Sequence, residues 1–208
     1  MDYEQHQGLI FRTVLSEGNQ VLVANVIDET KMLYQDLVAT RDEQLIVQLD
    51  WTLPESVNYP STHSLIQTKK SALVPFYSDL KWKSETAFVG FLDSSAKVDW
   101  WFKNGDRDAT FFAVPYMEGT KQKPFYVDFI VGLKDGSLAL FDTKGGQTIE
   151  TAKTKSDGLQ EYLKKHSGMF GGIVANTASD YSGRWVYFIK ISDAILNGDF
   201  SNWETLEL

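Results

Sequence analysis

The chain has 208 residues, of which 43% are hydrophobic and 13% aromatic, so it is long enough to bury one substantial core. It has no cysteine and only three scattered histidines, which excludes disulfides and thiolate metal sites and leaves oxygen ligands for any metal. A net charge of −8 argues against attraction of the whole surface to nucleic acid. No apolar run approaches the roughly 18 residues of a membrane span, and the amino terminus lacks a signal-peptide pattern, so we expect a cytoplasmic protein without membrane contact.

The amino-terminal part of the chain, residues 1–77, is predicted to be a small β-rich region. Its expected elements are a hairpin over 9–27 that turns at Glu17-Gly18-Asn19, a short helix over 31–39 and a strand over 43–53. The pattern then loosens until about residue 78, where we place a boundary. This region would be an accessory unit or a linker to a larger protein.

Residues 78–208 are predicted to form an α/β domain. In chain order the expected elements are a helix at 84–92, strands at 98–103, 110–117, 125–133 and 138–144, a helix at 154–166, and strands at 170–176 and 184–191. This order predicts a mixed β-sheet with helices on its faces.

Two carboxylates interrupt apolar strands of this domain, namely Asp128 in "FYVDFIV" and Asp142 in "LALFDTK". A two-residue turn between the strands would place Asp128 opposite Thr143 and separate the two acids. A three-residue turn with Gly136 in the left-handed conformation of a bulge places Asp128 directly opposite Asp142. We favour the second register because the acids can then share a cation, which offsets the cost of burying them.

Two further charged residues are predicted to lie near this pair. Lys144 follows Asp142 by two positions and therefore faces the same side of its strand. Glu85 lies on the same helical stripe as Phe88, Val89 and Leu92, so its carboxylate should face the sheet, although acids also favour a first helical turn for electrostatic reasons alone. The cluster is therefore either a chemical site or a buried salt bridge.

The ordered set of Glu85, Asp128, Asp142-Thr143-Lys144 resembles the PD-(D/E)xK nuclease motif. The segments "SETAFVGFLDSSAKVDWWFKNG", "FFAVPY" and "FYVDFIVGLKDGSLALFDTKGG" are similar to the carboxy-terminal endonuclease domain of type III restriction enzyme Res subunits and related helicase-nuclease proteins. The likeness covers about residues 75–192. Val127 stands where the family usually has proline, and Lys164 stands where the Gln-x-x-x-Tyr signature of RecB-like nucleases would require tyrosine after Gln160.

The resemblance implies a restriction-endonuclease-like fold and a Mg²⁺-dependent DNA endonuclease, with Mn²⁺ as a substitute ion. Asp128 and Asp142 would bind the metal, Glu85 would bind it directly or through water, and the Thr143 carbonyl could add an oxygen. Lys144 would orient the attacking water and stabilise the transition state. The implied partners are duplex DNA, a helicase or translocase region or subunit, and a methyltransferase subunit.

Other residues carry weaker signals. Lys103, Lys153 and Lys155 are candidates for contacts with DNA phosphates, and the aromatic strand Trp100-Trp101-Phe102 is more typical of a core than of base stacking. Two alternatives stay open. One is a non-catalytic interaction module of a DNA-processing complex, and the other is a glycan-binding or glycan-cleaving protein that uses tryptophans and acids such as Asp142 and Glu150.

Overall fold

The structure is a computed structural model that describes residues 3–14, 16–48, 51–79, 81–105, 110–119, 121–145, 152–191, 193–196 and 198–208. Its helices are α1 (Tyr3–Val14), α2 (Gln20–Gln48), α3 (Lys83–Ser94) and α4 (Lys153–Lys165). Its strands are β1 (Ser64–Ile66), β2 (Phe76–Ser78), β3 (Val98–Lys103), β4 (Val114–Glu118), β5 (Lys121–Phe125), β6 (Phe129–Leu133), β7 (Leu138–Thr143), β8 (Met169–Asn176), β9 (Trp185–Phe188) and β10 (Glu204–Thr205). No helix in these ranges is long and apolar enough to cross a membrane.

A six-stranded mixed sheet in the order β10-β9-β8-β7-β6-β3 forms the centre of the fold, as the predicted fold class requires. Its neighbouring strands are antiparallel except β7 and β8, which run parallel because α4 carries the chain from the end of one to the start of the other. Two small antiparallel sheets, β1-β2 and β4-β5, complete the β structure of the described chain. The predicted α/β architecture is therefore confirmed.

Alternate residues of the central strands enter two separate hydrophobic clusters, one on each face of the sheet. Ile130 and Leu140 pack in the cluster that contains Leu159 of α4. Their chain neighbours Phe129 and Phe141 pack in the other cluster, which contains Phe88 of α3. Since side chains alternate along a strand, the residues of β7 after Phe141 point in turn to the face covered by α4 and to the face covered by α3.

The prediction of a β-rich amino-terminal region is wrong. The segment expected to form a hairpin, 9–27, lies instead in α1, a short 3₁₀ turn at Glu17–Asn19 and the first part of α2. The predicted helix over 31–39 lies within α2, and residues 43–48 of the predicted strand are helical too. Apolar side chains such as Val21 and Leu22 are 72% and 63% exposed, so no core favours a sheet here. A helix forms its backbone hydrogen bonds within itself and needs no partner strand. Apolar runs of this length are compatible with a helix as well as with a strand.

The segment between α2 and α3 packs on the sheet domain. Phe76 of β2 is buried against Trp101 of β3, with ring centroids 5.0 Å apart. Trp101 also exchanges backbone hydrogen bonds with this segment, since its N–H donates to the Lys70 carbonyl and its carbonyl accepts from Ala72. Residues 51–78 thus belong to the same packed unit as the sheet, and the boundary predicted at 77/78 divides that unit.

The strand predicted over 125–133 is interrupted between β5 and β6. Phe125 ends β5, which pairs with β4 in a hairpin outside the central sheet, and Phe129 begins β6. Between them, the Asn104 side-chain amide donates to the Val127 carbonyl at 2.9 Å, and the Asn104 N–H donates to the Asp128 carbonyl at 2.8 Å. Asn104 therefore fixes the backbone from which the first strand acid projects.

A matched pair of helix glycines tests how closely α4 packs on the β4-β5 hairpin. A Cβ on Gly158 would lie 2.8 Å from the Pro115 carbonyl oxygen and 3.0 Å from Tyr116 Cα, whereas a Cβ on exposed Gly90 of α3 would meet nothing within 4 Å. Both changes to alanine gain helix propensity, about 0.5–1 kcal/mol. We expect Gly90→Ala to stabilise by that amount and Gly158→Ala to destabilise by roughly 1–3 kcal/mol in denaturant unfolding. Equal effects would contradict the close packing of α4.

Candidate functional site

The β6-β7 hairpin has the register that brings the two strand acids together. Phe129 pairs with Phe141, and the pairing continues to Gly132 with Leu138. Gly136 has φ +87°, the left-handed conformation that a three-residue turn requires at this position. The favoured register is therefore confirmed. Asp128 and Asp142 come one step beyond the Phe129–Phe141 pair, so this register brings both acids to the same end of the sheet.

Asp128 is held by two elements at once. Its Oδ2 accepts hydrogen bonds from the Thr143 N–H and the Thr143 hydroxyl, both at 2.8 Å, and its Oδ1 accepts one from Lys103 Nζ at 3.0 Å. Burial alone would raise the pKa of this carboxyl, but the charges of Lys103 and Lys144 and the Thr143 hydrogen bond lower it. Asp128 is therefore an ionised carboxylate with a fixed orientation.

Glu85 reaches the same place from the first turn of α3, as predicted. Its helix neighbours Phe88 and Leu92 are fully buried, and its Oε2 lies 3.3 Å from Lys103 Nζ. Burial raises the pKa of the Glu85 carboxyl, Lys103 opposes that rise and Asp128 adds to it. The Lys103 ammonium, in turn, is disfavoured by burial, yet the charges of Asp128 and Glu85 raise its pKa. The lysine is thus a permanent cation between two carboxylates.

Asp142 is the most enclosed acid of the cluster, with a side chain only 4% exposed. Its Oδ2 forms an ion pair with Lys144 Nζ but accepts no well-directed hydrogen bond from the described residues. Burial, and then the charge of Asp128, raise the pKa of Asp142 to about 7. The pKa of Lys144 is raised as well, because Asp142 and Asp128 outweigh the effect of its burial. Proton occupancy of Asp142 therefore changes near neutral pH.

The oxygen atoms of the acid cluster are of the kind that binds Mg²⁺ or Mn²⁺. In the structure, however, lysine ammonium groups form ion pairs with these oxygens. Within the described ranges, no three or more His, Asp or Glu side chains come together closely enough to hold a metal ion. The oxygens of Asp128, Asp142, Glu85 and the Thr143 carbonyl are the ligands that these ions prefer, and Asp142 Oδ2 lacks a hydrogen bond. A divalent ion would require Lys103 Nζ to leave its position between Glu85 and Asp128 and the acids to move closer together.

A cavity of about 890 Å³ opens beside the acids. Its walls include Glu85, Asp128, Thr143 and Lys144, together with the loop after β8, where Tyr181 has φ +64°. Four lysines line it, namely Lys81, Lys83, Lys144 and Lys155. On a chain with a net charge of −8, the cavity is a locally basic surface. The sequence analysis did not identify Lys81, Trp82 and Lys83 as cavity residues. A tryptophan between two lysines at the start of α3, the helix that carries Glu85, could have indicated a binding surface.

The weaker sequence candidates divide among different environments. Lys155 lines the cavity, with its Nζ 5.4 Å from the centre of the Phe125 ring. Lys153 is paired with Asp157 at 2.6 Å on α4, and Lys103 is inside the acid cluster rather than on the surface. Within the aromatic strand Trp100-Trp101-Phe102, Trp101 and Phe102 are buried and Trp100 packs against the core. Gln160 is structural, since its amide donates to the Gly171 carbonyl.

The glycan alternative finds little support among the described residues. Glu150 lies outside the described residues. Five of the six tryptophans are buried or half-buried, which leaves only Trp82 as an exposed aromatic platform of that type.

Comparison with known proteins gives one result. The model of the YagJ family matches residues 62–200, a range that contains Glu85, Asp128, Asp142 and Lys144. No curated protein and no solved structure matches the chain. Because the match covers more than half of the 208 residues, the chain belongs to the YagJ family.

Proposed function

We propose that this chain is a metal-dependent DNA endonuclease of the PD-(D/E)xK type, which hydrolyses phosphodiester bonds of duplex DNA. The observation that carries the proposal is the β6-β7 register, which brings Asp128 and the Asp142-Thr143-Lys144 sequence to one end of the sheet. Glu85 joins them from α3, on the wall of a basic cavity. Acids, a lysine and a phosphate-attracting surface are the parts that such hydrolysis requires.

The proposed roles follow from the positions of the side chains. Asp128, Asp142, the Thr143 carbonyl and Glu85 would hold Mg²⁺ or Mn²⁺, which when bound lowers the pKa of water and neutralises charge on the phosphate. Lys144 lies beside Asp142 and lines the cavity, so its ammonium can orient the attacking water and stabilise negative charge on the phosphate oxygens.

The proposed setting is an enzyme similar to type III restriction enzymes. The sequence contains no Gly-x-x-x-x-Gly-Lys-Ser/Thr loop, so DNA translocation would come from a helicase region or subunit elsewhere. A methyltransferase subunit is a second proposed partner. The test is Mg²⁺-dependent nicking of duplex plasmid DNA, first by the isolated chain and then with the partner subunits. Lack of nicking in both arrangements would contradict the proposal.

One observation favours a second candidate, a non-catalytic interaction module of a DNA-processing complex. Lys103 Nζ lies within 3.3 Å of both Glu85 and Asp128, so these two carboxylates are already neutralised by the protein itself. A domain that had lost cutting activity would keep this ion-pair cluster as a purely structural feature. Metal binding separates the two candidates.

Lys103→Met should increase the affinity for Mn²⁺ roughly 5- to 10-fold, because it removes an ammonium that competes with the metal for two carboxylates. The measurement is calorimetric titration of the metal-free protein. Lys164→Met is the matched control, since it removes an exposed ion pair with Glu161 on α4 and should leave the affinity unchanged. If neither wild type nor Lys103→Met binds Mn²⁺, the interaction module becomes the better description.

A further inference from the structure

Trp82 is exposed in a way that the packing of the protein does not explain. All six tryptophans fall in described segments, and Trp82 alone is exposed, with 61% of its surface open to solvent. Large aromatic side chains gain most from burial, and this exposed indole lies on the wall of the cavity, where a flat ligand can cover it.

The surroundings of Trp82 are basic and polar. Lys81 and Lys83 flank it in the chain and are themselves exposed, and all three residues line the cavity of the acid cluster. Lys81 is bound only loosely to Asp79, at 3.9 Å with 86% of the lysine side chain exposed. Lys155 lines the same cavity. An aromatic face bordered by ammonium groups matches the alternation of base and phosphate along a polynucleotide strand.

The backbone of Trp82 is fixed although its ring is exposed. Its N–H donates to the Asp79 carbonyl at 3.2 Å, and its carbonyl accepts from the Thr86 N–H at 3.1 Å and from the Thr86 hydroxyl at 3.2 Å. Trp82 and Glu85 are three positions apart at the start of α3, and both line the cavity. The backbone positions of Trp82 and Glu85 are therefore about one helical turn apart, so the indole and the acid cluster belong to the same cavity wall.

We infer that Trp82, Lys81 and Lys83 form a stacking site for an unpaired base of single-stranded DNA that enters the cavity. The inference rests on the proposed function, because the strand is bound here in order to be cut. A duplex presents base faces only at its ends, so stacking on Trp82 requires a single-stranded or locally opened substrate. The site would thus hold one unpaired strand of a duplex that is opened next to the scissile phosphate.

The test measures binding without cutting, by fluorescence anisotropy of a labelled 12-nucleotide oligo(dT) in EDTA. Trp82→Ala should weaken binding about 10-fold or more, and Trp82→Phe should retain most of it because the aromatic face remains. A blunt duplex of equal length should bind more weakly than the single strand. Lys83→Ala should reduce the slope of log affinity against log salt by about 0.7.

Unchanged affinity of Trp82→Ala, or equal loss in Trp82→Phe and Trp82→Ala, would overturn the stacking site, as would a wild type that binds no oligonucleotide. Tighter binding of oligo(rU) would support the stacking site while arguing against DNA as the strand. Because no metal is present, these results are separate from cutting. Binding through Trp82 without any nicking under Mg²⁺ would refute the nuclease and leave the stacking site in place.

Discussion

Lys144→Ala should reduce the rate of Mg²⁺-dependent nicking of duplex DNA by on the order of 10²-fold or more, while the protein keeps its affinity for metal. The lysine forms its ion pair with Asp142 at the edge of the cavity, and in the proposed mechanism it orients water and stabilises developing charge, so its removal would take away that group. It takes away no oxygen ligand. Activity and metal binding should therefore separate in this variant.

Asp142→Asn is the matched variant in which both properties should fail together. The amide keeps the size of the side chain but loses the charge that is proposed to hold Mg²⁺, so nicking and Mn²⁺ binding should both be lost. Lys164→Ala, on the exposed face of α4, controls for loss of a positive charge elsewhere. Nicking should be measured both for the isolated chain and with the proposed helicase partner present. Wild-type cutting by Lys144→Ala would remove this lysine from the reaction.

Asp142→Asn should also stabilise the metal-free fold, by about 1–2 kcal/mol at pH 8. The folded state raises the pKa of Asp142 from 3.8 to about 7, so it binds this proton more tightly than the unfolded chain does. The stability that this proton contributes is complete below about pH 4 and is lost as the pH rises to about 7, at most roughly 4 kcal/mol. The gain is smaller than this limit because the variant also loses the ion pair with Lys144.

The pH dependence of the stability difference shows whether titration of Asp142 causes it. At pH 5 wild-type Asp142 is protonated and resembles asparagine, so the two proteins should unfold at similar denaturant concentrations. At pH 8 the variant should be the more stable protein. Urea unfolding at both values, in EDTA, measures the difference. A constant difference at all pH values would show that Asp142 does not titrate in this window.

Asp128→Asn provides a control of opposite sign. The pKa of Asp128 is lowered despite its burial, mainly by Lys103, so its charge stabilises the fold above about pH 4 and that contribution is lost as the pH falls through the lowered value. We expect this variant to be less stable at pH 8, by roughly 1–3 kcal/mol, because Thr143 and Lys103 lose a charged partner. Stabilisation by both asparagine variants would mean that the acids simply repel each other.

Local patterns in the sequence determine much of the sheet domain. The strand 98–103 was predicted with its observed bounds from its run of aromatic residues, and the register of β6 and β7 was predicted because it lets Asp128 and Asp142 share a cation, with Gly136 in the left-handed turn position. The approach of Glu85 followed from the helical spacing of Phe88 and Leu92. Such features depend on neighbours within one turn or one hairpin, which a single sequence contains.

Features set by distant contacts were not predictable. Lys103 pairs with Asp128, 25 positions away, and with Glu85 on another element, so no local pattern could distinguish it from a surface lysine. Parts of the amino-terminal helices were mistaken for strands, although 31–39 was predicted to be helical, because exposed apolar residues are compatible with both periodicities over short windows. The break between β5 and β6 depends on Asn104, which comes from the end of β3.

The parallel pairing of β7 with β8 has a consequence for how proteins of this family can diversify. Both strands deliver their carboxyl ends to the same edge of the sheet, where β7 supplies Thr143 and β8 continues into the loop over 177–184. The charged residues at the end of β7 and the cavity wall formed by the 177–184 loop are thus encoded in segments separated by the whole of α4. If the proposed nuclease function holds, insertions or replacements in that loop would change substrate choice while the acids and Lys144 keep their positions, so specificity and chemistry could evolve independently.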